Sequence, residues 1–187
     1  MSKSKNLINE SIVSFFFLGR SPVAPGTFGT LGSLILAYLI VQNIEYYVGL
    51  LLVCMCLIMY YVGLQVAPWC EEKYGKDPGI YVLDEVIGYL IPISLLIILN
   101  HEITQQIWIV SFVAFRVFDV LKIWPAKDLE KIEGGHGILL DDVVAGLYVV
   151  LTLIIFMIIK ILLTVVEIFH RRIFSSNMDL YLTRVII

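Results

Sequence analysis

Three polar stretches interrupt an otherwise apolar chain, and they hold the residues that could do chemistry. They are residues 22–32, 77–88 and 115–146. The last stretch carries Arg116, Asp119 and Lys122 at intervals of three, so successive members lie about 60° apart around one helix. A charged stripe beside apolar segments of membrane length is costly and usually functional. The structural alternative is an Arg116–Asp119 salt bridge within the helix, which contributes only a few tenths of a kcal/mol.

Two pairs of adjacent acids stand near predicted helix starts. Asp84 and Glu85 precede Gly88 by one turn, and Asp141 and Asp142 precede Gly146 in the same way. A small residue at that spacing lets a second helix approach closely. The alternative is that each pair only complements the dipole of its own helix.

Convergence of these acids would give an excess of negative charge that Arg116 and Lys122 cannot balance. Buried carboxylates without partners would protonate, and a divalent cation prevents this. Oxygen ligands without Cys or His favour Mg²⁺ or Ca²⁺ over zinc, and Mg²⁺ is typically held by a few carboxylates plus phosphate. The predicted metal ligands are Asp84, Glu85, Asp119, Asp141 and Asp142.

A phosphate site is predicted from the Pro25-Gly26-Thr27 sequence at a helix start. Thr27 is the expected N-cap, although a plain cap without any ligand is as good an interpretation. Backbone N–H groups of Gly26 and Thr27 would face an anion, with Arg116 and Lys122 as its charged partners. Phosphate and Mg²⁺ beside lipid-facing helices indicate a phospholipid headgroup as substrate.

Composition places these sites in a membrane protein. The chain is 59% hydrophobic and 16% charged with mean hydropathy +0.91, against about 25% charged in soluble proteins. A soluble helical domain with a very apolar core is the alternative. A net charge of −3 and a pI near 5.6 give no electrostatic basis for binding nucleic acid. Three cysteines make neither a disulfide framework nor a zinc site.

Apolar runs predict an all-α integral membrane bundle of about four to five helices. Expected helices cover residues 28–41, 46–67, 81–99, 107–123 and 139–166, after a short interfacial helix at 7–18. Ser21–Gly26 is expected to be a loop, Pro68 to lie beyond a helix end, and Gly134, Gly135 and Gly137 to form a flexible loop.

The lysines predict a cytoplasm-facing site. Loops 69–80 and 122–137 contain lysines, whereas the turns at 42–45 and 100–106 contain no Lys or Arg. By the positive-inside rule, the polar stretches then share the cytoplasmic face. Residues 1–167 are expected to form the membrane domain, and residues 168–187 an interfacial tail. Arg171 and Arg172 would break the rule if the last helix crosses fully.

Three sequence blocks resemble the phosphatidylglycerophosphatase A family of bacterial membrane phosphatases. They are SPVAPGTFGTLGSL at 21–34, DPGIYVLDEVIGYL at 77–90 and FRVFDVLKIWPAKDLEKIEGGHGILLDDVVAG at 115–146. The resemblance covers most of residues 11–160. It implies Mg²⁺-dependent removal of the terminal phosphate from phosphatidylglycerophosphate, in the bacterial cytoplasmic membrane, by a multi-pass enzyme. The residues matching the family's acidic and remaining positions are Asp84, Glu85, Asp119, Asp141, Asp142, Arg116, Lys122, Gly26 and Thr27.

Within this interpretation Asp119, Arg116, Lys122 and Asp142 are the expected catalytic residues. The favoured mechanism is attack of metal-activated water, with Arg116 and Lys122 stabilising the phosphoryl oxygens. An aspartyl-phosphate intermediate is the alternative. His136 is a candidate general acid, although a single loop histidine is more often incidental. A different class of function is a small cation transporter that uses the carboxylates as an ion path. The sequence fixes neither the exact lipid nor the oligomeric state.

Overall fold

The computed structural model describes the backbone of residues 3–185 and the side chains of residues 4–172, and all regular structure in that part of the chain is helical. The predicted all-α class is therefore confirmed. The helices are α1 (Lys3–Val13), α2 (Pro25–Asn43), α3 (Val48–Tyr74), α4 (Leu83–Ile98), α5 (Gln105–Leu121), α6 (Ala126–Leu129) and α7 (Gly135–Val185), with a 3₁₀ turn at Leu18–Arg20.

Three of these helices are long and apolar enough to cross a membrane: α2, α3 and the Gly135–Arg172 part of α7. Helices α4 and α5 have 16 and 17 residues, or about 24–26 Å at 1.5 Å per residue, which is short for a full span. The length and apolar composition of α2, α3 and α7 thus agree with the membrane protein that the overall composition predicted.

Helix α4 lies at the centre of the bundle. It packs against α2, α3 and α5, and its side chains are buried around most of its circumference, including Val86, Tyr89 and Leu90. A helix that is apolar all round is expected in such a position. Its first turn nevertheless carries Asp84 and Glu85, so the fold places two carboxylates at one end of its core.

Close helix approach brings α7 to this central helix. A methyl group at Gly88 would lie 2.6 Å from the ring of Phe115 and 2.7 Å from the backbone oxygen of Asp142. No side chain fits there, as the spacing of Gly88 after Asp84 predicted. Gly146 of α7 is equally restricted, since a methyl group there would meet the backbone of Gly88. The two acid pairs are therefore brought to the same end of the bundle.

An ion-pair cluster around the buried Glu10 fixes the N-terminal segment against the start of α4. Glu10 accepts hydrogen bonds from Arg20 and from Lys73 of α3, and the Val13 carbonyl accepts the N–H of Val82 at 2.9 Å. Shielding from water acts to raise the pKa of Glu10, but the Arg20 and Lys73 partners outweigh it and hold that pKa below its usual range. The resulting stabilisation is present above the ordinary pKa of Glu10 and is lost as the pH falls through the lowered value.

The start of α2 differs from the sequence prediction. Helix α2 begins at Pro25, so Thr27 lies inside its first turn and the prediction of Thr27 as N-cap is wrong. Ala24 occupies the cap position in a left-handed conformation, with φ of 47° and no side-chain hydrogen bond. Proline suits this first position because its fixed φ is helical and it has no N–H to satisfy.

Two further boundaries were also predicted wrongly. Pro68 lies inside α3, which continues to Tyr74, and membrane helices tolerate proline because neighbouring groups satisfy the freed carbonyl. Gly135 and Gly137 lie in the first turn of α7, and only Gly134 forms the turn before it, with φ of 77°. The backbone of the predicted tail is helical to residue 185, and its interfacial position stays a prediction.

Candidate active site

Three carboxylates from two helices form the centre of the site. Asp84 and Glu85 project from the first turn of α4, and Asp142 projects from α7. One oxygen of each lies within 4.8 Å of the others. Asp84 and Asp142 are 9% and 3% exposed, so three negative groups are gathered away from bulk water. Such a cluster is strongly unfavourable unless a cation or protons neutralise it.

Two oxygens in this cluster have no hydrogen-bond partner among the described residues. They are Oε2 of Glu85 and Oδ2 of Asp142, and both are fully buried. Buried polar atoms are nearly always paired, so orphaned ones call for an explanation such as an ion. The donor set is oxygen alone, which suits a hard divalent cation. The three carboxylates therefore fit a metal ion by their number, closeness and free oxygens.

Arg116 of α5 joins the carboxylates to the start of α2. Its Nη1 lies 2.6 Å from Oδ2 of Asp119 and 3.9 Å from Oε1 of Glu85. The same nitrogen donates to the Thr30 hydroxyl at 3.3 Å. A methyl group added at Gly26 would meet the Glu85 carboxylate and would lie 3.2 Å from Nη1 of Arg116. The backbone of Gly26 thus lies directly against the charged groups.

Lys122 and Asp141 form a second ion pair beside the cluster. Lys122 caps α5 in a left-handed conformation, and its Nζ lies 3.0 Å from Oδ2 of Asp141 and 2.9 Å from Oε1 of Glu130. Burial acts to lower the pKa of Lys122, but its hydrogen bonds to Glu130 and Asp141 raise that pKa above its usual range. Lys122 is therefore a permanent cation.

The structure divides the five predicted metal ligands into two groups. Asp84, Glu85 and Asp142 form the cluster. Asp119 interacts electrostatically with Asp142 but is ion-paired to Arg116. Asp141 uses one oxygen for Lys122 and the other to accept the N–H of Asp142 at 3.0 Å. Asp119 and Asp141 thus have protein partners, whereas Glu85 and Asp142 keep free oxygens.

The two residues whose backbone N–H groups were predicted to bind phosphate, Gly26 and Thr27, also have different surroundings in the structure. Gly26 reaches the charged groups, but the N–H of Thr27 donates to the Ala24 carbonyl at 3.0 Å. The hydroxyl that contacts Arg116 belongs to Thr30, which sequence reasoning missed. A signal was present, because Thr30 follows Gly26 by four residues and therefore shares its helix face. Its hydroxyl donates to the Gly26 carbonyl at 2.9 Å.

A polar cleft of about 330 Å³ opens next to the site. Asp77 lines it and interacts electrostatically with Asp119 and Asp141, and Glu130, the partner of Lys122, lines it as well. Its volume falls in the usual range of small-molecule sites. The remaining lining residues are Glu71, Lys76, Lys131, Ile132, Gly134, Gly137 and Ile138.

His136 has a tyrosine partner in the structure. Its Nδ1 lies 2.7 Å from the Tyr60 hydroxyl, and the two rings are 5.9 Å apart. This contact accounts for the position of the imidazole in the first turn of α7, and a role for His136 as general acid stays a prediction.

Comparisons with known proteins give a consistent result. The family model described as Phosphatidylglycerophosphatase A matches residues 11–157. A Bacteroides thetaiotaomicron protein, provisionally named phosphatidylinositol-3-phosphatase, is 33% identical over 135 residues, covering 71% of this chain and 83% of that protein. Proteins named Phosphatidylglycerophosphatase A from Haemophilus influenzae and Escherichia coli are each 32% identical, covering 68% and 70% of this chain and 76% and 73% of their own lengths. No solved structure matches the chain significantly.

Proposed function

The chain belongs to the phosphatidylglycerophosphatase A family, and we propose that it hydrolyses phosphatidylglycerophosphate to phosphatidylglycerol and inorganic phosphate with Mg²⁺ as cofactor. The bond from phosphorus to the terminal glycerol oxygen breaks, and water supplies the new oxygen. The observation that carries this proposal is the buried cluster of Asp84, Glu85 and Asp142, with two unpartnered oxygens, beside the guanidinium of Arg116.

Asp84, Glu85 and Asp142 would hold the cation. When bound, a divalent ion supplies Lewis-acid activation of the phosphoryl group and of water. The protein's own part is to hold these carboxylates converging, and a bound cation would keep them deprotonated. The unpartnered Glu85 and Asp142 oxygens support this role, because a cation is the partner that their environment lacks.

Arg116 is the residue best placed to bind the phosphoryl oxygens. A guanidinium has five N–H donors in a planar fork, and Asp119 and Thr30 fix this one in orientation. Charge on the equatorial oxygens grows in phosphoryl transfer, so a fixed cation contributes mainly in the transition state. The Gly26 N–H lies in the first turn of α2, where helix amides lack intrahelical acceptors and favour anions.

Lys122 would bind the phosphoryl group from the side of the polar cleft, which its partner Glu130 lines. Its partner Glu130 has a side chain that is 39% exposed, so a phosphoryl oxygen can replace it at modest cost. The bond between Lys122 and Asp141 persists in that exchange and keeps the adjacent Asp142 oriented through its backbone. Asp119 would orient Arg116 through their ion pair, and a nucleophilic role for it is the alternative.

The names of the relatives point to two lipids with one shared chemistry. Both are glycerophospholipids whose polyol headgroup ends in a phosphate monoester. The family model and two of the named relatives favour phosphatidylglycerophosphate. The proposed location is the bacterial cytoplasmic membrane, with loops 69–80 and 122–137 and the site on the cytoplasmic face. The lysines of those loops support this orientation.

Phosphate release from defined lipids tests the function. Protein in phosphatidylcholine vesicles is given phosphatidylglycerophosphate or phosphatidylinositol-3-phosphate, before and after EDTA and again with Mg²⁺. We expect hydrolysis of the first lipid, its loss in EDTA and its recovery with Mg²⁺. Preference for the second lipid would assign the other substrate. Mg²⁺ flux into the vesicles without hydrolysis would favour the transporter.

Gly26→Ala is expected to lower kcat/KM by about tenfold or more, because its methyl group would displace Glu85 and Arg116. The displaced atoms are side-chain ends, so thermal stability should change little. Gly49→Ala is the matched control, since its methyl group would meet Ile98 and the Ser94 carbonyl oxygen near the opposite end of α4. It should mainly lower stability. Kinetics and thermal unfolding of both variants are measured, and equal stability losses would contradict the assignment of Gly26 to the site.

A further inference from the structure

A second cavity, of about 350 Å³, lies between α3, α4 and α7 and is almost wholly apolar. Helix α3 contributes Leu57 and Tyr60, α4 contributes Ile87 and Ile91, and α7 contributes Leu147. We call this cavity the apolar groove. The phosphate chemistry described above uses none of its side chains.

The few polar groups in the groove already have partners within the protein. The Tyr60 hydroxyl lies 2.7 Å from Nδ1 of His136, and the Ser94 hydroxyl donates to the Ile91 carbonyl at 2.8 Å. The Cys56 thiol points to the Ile87 carbonyl at 3.9 Å. A molecule in the groove would therefore meet no unpaired polar side chain among the lining residues. A hydrocarbon chain is the kind of ligand that suits such a cavity.

Residues that line the groove lie within one helical turn of the carboxylate cluster. Ile87 follows Asp84 by three residues on α4, and Val143 directly follows Asp142 on α7. From Ile87 the groove follows α4 to Leu95, a distance of about 12 Å at 1.5 Å per residue. An apolar path thus starts within one helical turn of the charged site and runs between α3, α4 and α7.

We propose that the apolar groove binds one acyl chain of the lipid whose phosphorylated headgroup occupies the carboxylate site. This inference rests on the proposed function, because it takes the substrate to be a glycerophospholipid. A lipid whose phosphate reaches Asp84 and Asp142 must place its chains close to them, and the groove is an apolar cavity within one helical turn of these residues. Tyr60 lines the groove, and Gly137, the neighbour of its partner His136, lines the polar cleft.

The groove should act by positioning more than by affinity. Bilayer hydrocarbon is as apolar as its side chains, so moving a chain from lipid into the groove gives little hydrophobic gain. Holding the chain does fix where the headgroup lies relative to Arg116 and the carboxylates. A phosphoryl group displaced by about 1 Å can lose up to about 10² in rate. Obstruction of the groove should therefore lower turnover of a long-chain lipid while sparing a substrate with very short chains.

Adjacent residues of α3 provide a matched pair of variants. Leu57 and Ile58 are 65% and 63% exposed, but only Leu57 lines the groove. With Mg²⁺ present, we expect Leu57→Trp to lower kcat/KM for long-chain phosphatidylglycerophosphate by about tenfold and to leave the dibutyryl form unchanged. Ile58→Trp should leave both unchanged. Equal loss for both substrates, or no loss in Leu57→Trp, would overturn the proposal.

Photo-labelling separates failure of the groove from failure of the proposed function. The probe is phosphatidylglycerophosphate with a diazirine in one acyl chain, in phosphatidylcholine vesicles with the wild-type protein. We expect adducts at Leu57 and Ile91 that excess unlabelled phosphatidylglycerophosphate removes and added phosphatidylcholine does not. Such adducts support the groove even if no phosphate is released. Equal labelling of Leu57 and Ile58, or labelling that phosphatidylcholine removes, would mean bulk lipid contact only and would refute it.

Discussion

Asp142→Asn is expected to lower kcat/KM for phosphatidylglycerophosphate by about 10² or more, a loss of roughly 2.7 kcal/mol of transition-state stabilisation. Asparagine keeps the shape of the side chain but removes the charge whose Oδ2 has no protein partner. The variant should insert into membranes normally. Its stability in EDTA should equal or exceed that of the wild type, because one of three crowded negative charges is removed.

The same variant should lose stabilisation by Mg²⁺, because a ligand stabilises a protein only by binding its folded form. Kinetics and thermal unfolding are measured with EDTA and with Mg²⁺. Asp128→Asn is the charge-matched control, since Asp128 is exposed and pairs with Lys131 outside the cluster. Near-normal hydrolysis by well-inserted Asp142→Asn protein would remove Asp142 from the site.

Arg116→Lys is expected to reduce kcat/KM by about 10², although the positive charge is retained. Nη1 of Arg116 makes the contacts to Asp119, Thr30 and Glu85. The other N–H donors of the guanidinium are then free to face phosphoryl oxygens, and lysine lacks those donors. A purely structural salt bridge predicts a modest loss of stability with near-normal turnover. Arg20→Lys is the control, since Arg20 pairs with Glu10 in the N-terminal cluster.

The double variant of Arg116 and Asp119 tests what the Asp119 carboxylate does. Asp119→Asn alone is expected to lower activity by about 10² with little effect on membrane insertion. If Asp119 acts only by orienting Arg116, the losses of the single variants will not add in Arg116→Lys/Asp119→Asn. Additive losses would indicate that Asp119 has an independent role, as a ligand or nucleophile.

The helices were predictable because apolar runs of membrane length have few alternatives. The boundaries that failed depend on context that a local rule does not contain. Pro25 starts a helix because Ala24 adopts a left-handed conformation, and Pro68 is tolerated inside one. Gly137 reads as a loop residue, yet a methyl group there would meet the backbone of Ile132, so packing against that segment accounts for this glycine.

The site residues were recognisable by type and spacing, but their pairing was not. Lys122 bonds to Asp141, 19 positions later, and Arg116 bonds to Thr30, 86 positions earlier. Which acids are neutralised by protein cations and which keep free oxygens follows from those tertiary distances. Thr30 could be distinguished from Thr27 only once Gly26 was placed inside α2, because residues four apart share a face only within one helix.

Direct metal binding is the measurement closest to the central claim, that Asp84, Glu85 and Asp142 hold a divalent cation. Mn²⁺ can stand in for Mg²⁺ in electron paramagnetic resonance of the purified protein. We predict stoichiometric Mn²⁺ binding by the wild type, displacement by excess Mg²⁺, and loss of binding in Asp142→Asn but not in Asp128→Asn. Unchanged Mn²⁺ binding by Asp142→Asn, or lipid hydrolysis by wild-type protein that binds no Mn²⁺ and tolerates EDTA, would contradict the claim.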